Sequence, residues 1–344
     1  MIGELHQFPR LRPPAIKPSL EDGWPPSPSH PSWPNACSAM ACRGKVTPAV
    51  LSERYRVPNG TSAGERRSSM AVAEFQGQHF KPPDLAKFSA ACGVNVTVDH
   101  EIGGDTPPTA GVEAELDIEY IKGVAEGVPL TVIYVNKYSL LGWANQITAL
   151  RDSPLVHSVS YGNDEKQQSG AAFMLSVNTA FMKAGARGLS ILFASGDQGV
   201  CGREGCGFFR HRFHPDFPGG SPYHTSVGGT DFAGSVIGEE KAWQDGGGGF
   251  SDTFPIPSYQ AAAVAAFKAN SSAKGTLPPA KLYNDTVRKK GADERTLTEP
   301  APARISSAPH RPIPAGRERR LCARPWPCRV RAGSRVSRPE RTGW

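Results

Sequence analysis

Phe-Met-Lys-Ala-Gly-Ala-Arg-Gly-Leu-Ser-Ile-Leu-Phe-Ala-Ser-Gly-Asp, residues 181–197, holds the end of a helix, a strand and the turn beyond it. Gly188 suits the left-handed residue that closes a helix. The apolar run 189–195 is too short for a buried helix and reads as a buried strand. Ser195-Gly196-Asp197 is a turn, and Asp favours such turns. The same alternation extends outward. A long helix covers about 166–186, a strand 156–162, a helix 143–151, an apolar strand 130–135 and a helix 111–126. Downstream, 224–230 reads as another strand. Near-continuous apolar strands separated by helices predict an α/β fold, a parallel sheet flanked by helices on both faces. Functional groups in such sheets gather at the C-terminal strand ends, and Asp197 lies just past one.

Order is expected to begin near Lys45. Thr47 caps a short helix with Pro48 at its first position. Another helix lies within 78–92, and 257–270 is helical by propensity. Residues 1–44, with nine Pro in the first 34, read as disordered, and so does the Arg/Pro-rich tail 287–344. The expected domain is therefore 45–286. The net charge of +7 suggests nucleic acid until it is located. Residues 301–344 hold 11 Arg, no Lys and 2 Glu, net +9, so the other 300 residues together carry −2. That argues against a nucleic-acid face on the folded part. No stretch reaches the roughly 18–20 apolar residues of a membrane span. The N-terminus lacks the apolar core of a signal peptide. Seven Cys leave at least one without an intramolecular partner. Sequons at Asn59, Asn95, Asn270 and Asn284 give weak support to a secretory route. Oligomeric state is not legible.

Gly-Val-Glu-Ala-Glu-Leu-Asp-Ile-Glu-Tyr (111–120) carries two i, i+4 acid pairs, Glu113/Asp117 and Glu115/Glu119. Such pairs share one helix face about 6 Å apart. The row through Glu113 and Asp117 continues to Ile121 and flanks the apolar stripe Val112, Leu116, Tyr120, Val124, so it is expected to face inward. The row through Glu115 and Glu119 continues to Lys122 and Glu126 and is expected to face water. Taken alone, each acid has an ordinary explanation: a helix boundary for the pair, a turn for Asp197.

Several runs together resemble the sedolisin family of serine-carboxyl peptidases, on its tripeptidyl-peptidase side. They are 111–120, 157–165, 181–197, 217–230 and 247–255. The resemblance runs from about 45 to 285. It implies a subtilisin-like fold and an acid peptidase that removes N-terminal tripeptides from peptides or unfolded proteins. It implies Glu113 as the general base and Asp117 as the acid that orients it. Asp197, protonated, would then be the oxyanion donor. Ser160, Tyr161 and Gly162 on one side, with Gly247, Gly248 and Gly249 on the other, correspond to substrate-binding walls. A glycine run can also be only a flexible turn. A lysosomal or secreted location follows from the same resemblance.

The family's nucleophile sits in a Ser-Gly-Thr-Ser-Ala-type turn well after the oxyanion acid. The resemblance stops at about 282–286, and no Gly-Thr-Ser follows Asp197. Gly60-Thr61-Ser62-Ala63 precedes the acid helix and has the wrong order, while Ser251 and Ser258 lack the motif. The domain is therefore expected to be C-terminally truncated and inactive as written, with a non-catalytic peptide-binding chain or a mis-spliced fragment as alternatives. The family's calcium site is expected to be absent with its C-terminal ligands.

Overall fold

The computed structural model describes residues 45–58, 68–104, 111–205, 213–232 and 240–270. The disordered segments expected at 1–44 and 287–344, the far end of the 45–286 domain, and Ser62 lie outside them. Helix α1 (Pro48–Tyr55) starts as expected, with the Thr47 Oγ1 accepting from the Val50 N–H at 3.4 Å. Then follow β1 (Met70–Phe75), α2 (Pro82–Cys92), β2 (His100–Ile102), α3 (Val112–Val124) and β3 (Leu130–Val135). Next come α4 (Leu140–Ala149), β4 (Val156–Val159), β5 (Asn163–Asp164), α5 (Ala171–Ala186) and β6 (Ser190–Ala194). The last elements are β7 (Asp216–Phe217), β8 (Thr225–Val227), β9 (Thr230–Phe232), β10 (Glu240–Ala242) and α6 (Ala261–Ala269).

Six strands form one sheet in the order β2-β3-β1-β4-β6-β8, and every neighbouring pair is parallel. β1 shows why both faces must be covered. Its even and odd side chains enter two different cores. Ala71, Ala73 and Phe75 join α4 and α5 through Trp143, Ile147, Val177 and Phe181. Met70 and Val72 join α2 and α3 through Leu85, Phe88 and Ile118. The order of layers is thus α2/α3, sheet, α4/α5, as the alternation of elements predicts.

Sequence reading missed the central strand itself. Met-Ala-Val-Ala-Glu-Phe is buried throughout, but its two alanines and one acid blur the apolar signal. Two boundaries also differ. α5 begins at Ala171 because Gly170 takes φ 101°, and residues 165–167 form a separate 3-10 turn. β4 ends at Val159 rather than Gly162. Helix α5 does close as predicted, with Gly188 at φ 83° and the Leu189 N–H donating to the Ala184 carbonyl at 3.1 Å. Cys92 is a free, buried thiol, and Cys201 is disulfide-bonded.

Trp143 is fully buried, with edge-on contacts to His157, Phe181 and Phe193 at ring separations of 5.9, 6.5 and 5.8 Å. Trp143→Ala is expected to remove about 3–5 kcal/mol of stability, read as a shifted midpoint in urea unfolding of the full chain.

Candidate active site

The C-terminal ends of β1, β4 and β6 lie side by side in the sheet, and each contributes to one cluster. β1 brings Glu74, on the same strand face as Met70 and Val72, and therefore on the α3 side. The segment leaving β4 brings Ser160 and Tyr161. The turn after β6 brings Asp197. The N-terminal half of α3 closes the cluster. It is held there because the Gly111 N–H donates to the His79 carbonyl at 2.7 Å and the Glu113 N–H donates to the Gln78 Oε1 at 3.2 Å. Residues 78 and 79 follow the Gln76-Gly77 turn that ends β1, so the end of the central strand sets the start of the acid-bearing helix.

Glu74 is completely buried. The Tyr161 hydroxyl donates to its Oε2 at 2.9 Å, and its Oε1 is buried with no hydrogen-bond partner. Burial, reinforced by the Asp117 charge, pushes the Glu74 carboxyl up to about 9. Asp117 accepts from the Ser160 hydroxyl at 2.9 Å, and its Oδ2 is likewise buried without a partner. Burial and then the Glu113 charge raise it to about 7. Glu113 is half-buried, and its carboxyl is raised by burial and then by Asp197. Four acids thus stand in one electrostatic series, Glu74, Asp117, Glu113 and Asp197. Glu74, Asp117 and Glu113 hold their protons to higher pH than isolated carboxyls, because ionised carboxylates this close and this dry repel, whereas Asp197 is exposed at the outer end.

The turn carrying Asp197 is clamped to the glycine run. The Ser195 N–H donates to Val227 at 3.0 Å, the Ser195 hydroxyl to the Gly247 carbonyl at 2.9 Å, and the Gly247 N–H to the Gly196 carbonyl at 2.7 Å. A Cβ on Gly247 would collide with the Ser195 carbonyl oxygen and lie 2.9 Å from the Gly196 Cα. Only glycine permits that approach. Gly248 and Gly249, with φ 143° and 127°, carry the run onward. Beyond it the buried Glu165 accepts from the Ser251 hydroxyl and from the Asp252 and Thr253 amides at 3.1 Å each. Ser251 also accepts from the Phe254 amide at 2.9 Å, so it is a structural hydroxyl. Gly162, across the cleft, packs on the Asp216 carboxyl. The sequence-predicted residues Glu113, Asp117, Asp197, Ser160–Gly162 and Gly247–Gly249 therefore line one region. The side chains of Ser160 and Tyr161 are committed to Asp117 and Glu74.

One expectation is overturned. Glu115 and Glu119 are buried, each 1% exposed, whereas Val112 is 65% exposed. The reason is that α1 and α2 pack across the face of α3 assigned to water. The Lys81 N–H at the start of α2 donates to the Glu115 Oε1 at 2.8 Å, so this acid caps a neighbouring helix N-terminus, where negative charge is favoured. Lys122 in the same row donates to Asp99 and to the Val128 carbonyl, both at 2.9 Å. Ala114 and Ile118 are the buried apolar residues of α3, and of the predicted stripe Tyr120 packs against the core that holds Ile118 while Val112 is exposed. Glu74 is the functional candidate that sequence reading missed. Its signal was present as a lone acid inside a six-residue apolar run.

No family model matches the sequence. Tripeptidyl-peptidase 1 of Rattus norvegicus is 36% identical over 302 residues, covering 84% of this chain and 50% of that protein. The Homo sapiens protein of that name is 35% identical over 300 residues, covering 83% and 49%. The solved structure of Pseudomonas sedolisin, a serine-carboxyl proteinase, superposes with a TM-score of 0.52 at 21% identity, over 64% of this chain and 67% of that one. The chain belongs to the sedolisin family. The structural match supports the fold, a subtilisin-like parallel sheet flanked by helices, and the sequence matches support the tripeptidyl-peptidase likeness. The chain spans about half the length of the curated relatives it matches. Among the described residues no group of three or more His, Cys, Asp or Glu is placed to hold a metal ion. No helix among them is long and apolar enough to cross a membrane.

The raised Glu74 carboxyl has a consequence for folding. A carboxyl that is neutral when folded and ionised when unfolded stabilises the fold fully below its unfolded value of 4.5, and that contribution is lost as pH climbs toward about 9. Glu74→Gln keeps the Tyr161 contact and removes the titration. It is expected to leave stability nearly unchanged at about pH 4 and to raise it at about pH 8 by on the order of a few kcal/mol, measured by chemical unfolding at both pH values.

Proposed function

We propose that this region is the base and oxyanion half of an acid serine-carboxyl peptidase site, acting on the amino-terminal end of peptides and releasing tripeptides in an acidic lysosomal or extracellular compartment. The observation that carries the proposal is the gathering at the strand ends of Glu113, whose carboxyl is raised by burial and then by Asp197, with Asp117 and the Ser160 hydroxyl that donates to it.

Glu113 in its ionised form accepts the proton of a serine hydroxyl as that oxygen attacks the peptide carbonyl. Asp117, buried and held by Ser160, keeps Glu113 oriented and shares its proton. Asp197, protonated, donates a hydrogen bond to the oxygen that gains negative charge. The same proton then passes from Glu113 to the departing amine. Acid conditions serve both halves, because Asp197 must keep its proton while one carboxyl of the Glu113/Asp117 pair loses its own. An extended peptide would pair with the backbone at 160–162 and 247–249.

A second reading rests on a specific observation. Among the described residues, no serine hydroxyl hydrogen-bonds the Glu113 carboxylate. On their own, these residues hold a peptide without cleaving it.

The two readings separate in one experiment with the full chain at about pH 4. Hydrolysis of an amino-terminally free tripeptide-amide reporter, abolished by Glu113→Ala and lowered about 10²–10³-fold by Asp197→Ala, supports the peptidase. Peptide binding without hydrolysis supports the second reading. Neither binding nor hydrolysis overturns both.

A further inference from the structure

Of the four Asn-X-Ser/Thr triplets, only Asn95-Val96-Thr97 lies wholly within the described residues. Asn270 follows α6, and the rest of its triplet lies outside them. The 95–97 triplet sits between α2 and β2, just after Gly93 closes the helix at φ 66°. Its backbone is held on both sides. The Asn95 N–H donates to the Glu126 Oε2 at 2.6 Å, and the Val96 N–H donates to the Ser89 Oγ at 3.0 Å. Val96 is buried in the core with Leu85, Phe88 and Ile118, and its neighbours Val94 and Val98 pack against the same core. Asn95 and Thr97 are exposed. The alternation, Val inward with Asn and Thr outward, presents both polar side chains of the triplet on one face.

The triplet lies at the end of the sheet away from the acids. All six strands run parallel, so the residues that lead into β2 lie opposite the strand exits that carry Glu74 and Asp197. Helix α3 spans the same distance in reverse. Glu113 stands at its start, and Glu126, which holds Asn95, comes just past its end. A helix of 13 residues is about 20 Å long, and that length separates Asn95 from the candidate site. β2 is also the outermost strand, and among the described residues no strand pairs with its outer margin. A bulky hydrophilic group at Asn95 therefore extends from a sheet margin without displacing the core or covering the acids.

We propose that Asn95 is an N-glycosylation site, with the Thr97 hydroxyl as the second recognition element. The co-reactant is an oligosaccharide carried on a lipid pyrophosphate. Transfer breaks the bond between the sugar's anomeric carbon and the pyrophosphate oxygen, and it forms the bond from that carbon to the Asn95 Nδ2. One Nδ2 proton is lost, and the lipid pyrophosphate leaves with the electron pair of the broken bond. Transfer acts on the chain as it is made, so the part of the fold is to leave the product room. The inference rests on the lysosomal or extracellular compartment proposed above, which the chain reaches through the secretory lumen, and goes beyond it by naming the modified residue.

The test makes the full chain behind a cleavable secretory leader in a eukaryotic host, and in parallel isolates the chain from the cells that make it naturally. Glycopeptide mass spectrometry reads the 95–97 triplet, and electrophoresis before and after peptide-N-glycosidase treatment reads the total. Behind the leader, most copies are expected to carry a glycan at Asn95. Asn95→Gln and Thr97→Val are each expected to lose that one glycan, whereas Thr97→Ser keeps the hydroxyl and retains it. The substituted positions are exposed, and cleavage of the leader reports that each variant entered the lumen. A parent chain with its leader cleaved and Asn95 bare overturns this inference and leaves the compartment reading standing. A glycan that persists at Asn95 in Thr97→Val overturns the role given to the hydroxyl. A glycan present behind the leader but absent from the naturally made chain overturns the compartment reading, and with it the modification in the cell.

Discussion

Carboxyl groups can be packed together out of water only if most of them keep their protons. That constraint governs the ends of β1, β4 and β6. Glu74 is wholly inside, Asp117 has one oxygen buried without a partner, and Glu113 stands at the boundary facing Asp197. The surroundings supply few donors to the first two acids: one hydroxyl from Tyr161 and one from Ser160. A neutral-pH version of the same site would need cations or several amides at these positions. The protein instead uses dryness and mutual repulsion, which keep the Glu74 carboxyl neutral even at neutral pH and the Asp117 carboxyl neutral in acid. The acid character of the site is thus a property of its packing, as much as of any one residue.

The fold contributes by placing four chain segments at one edge. A parallel sheet aligns its C-terminal ends, so residues 74, 160–162 and 197 become neighbours although they are far apart in sequence. The α3 helix is then pinned by Gln78 and His79, which leave the central strand. Its outer face is covered by α1 and α2. The acids on that face serve structure: Glu115 caps α2, while Glu113 and Asp117 point to the cluster. Two acid pairs in ten residues therefore have separate duties, divided by which neighbour each side of the helix meets.

Much of this was legible in the residues. The helix cap at Arg187-Gly188, the apolar run after it and Asp197 in the following turn are local features, and local features survive folding. The order of layers followed from alternation. What failed was the orientation of α3, because an amphipathic pattern assumes one wet face, and this helix has packing on both sides. Glu74 and the strand that carries it were missed for a related reason. A buried acid lowers the apparent hydrophobicity of its own strand, so the residue most worth finding concealed the element that holds it. Asp216 was invisible to pattern, since only the meeting of Gly162 and Gly196 in the fold gives its carboxyl a place.

The contact between Gly247 and the Ser195–Gly196 backbone has a mechanical meaning. Two main chains touch there with no side chain between them, so the glycine run and the turn that carries Asp197 behave as a single rigid piece. Moving the glycine run on that side moves Asp197, and shifting Asp197 moves the run.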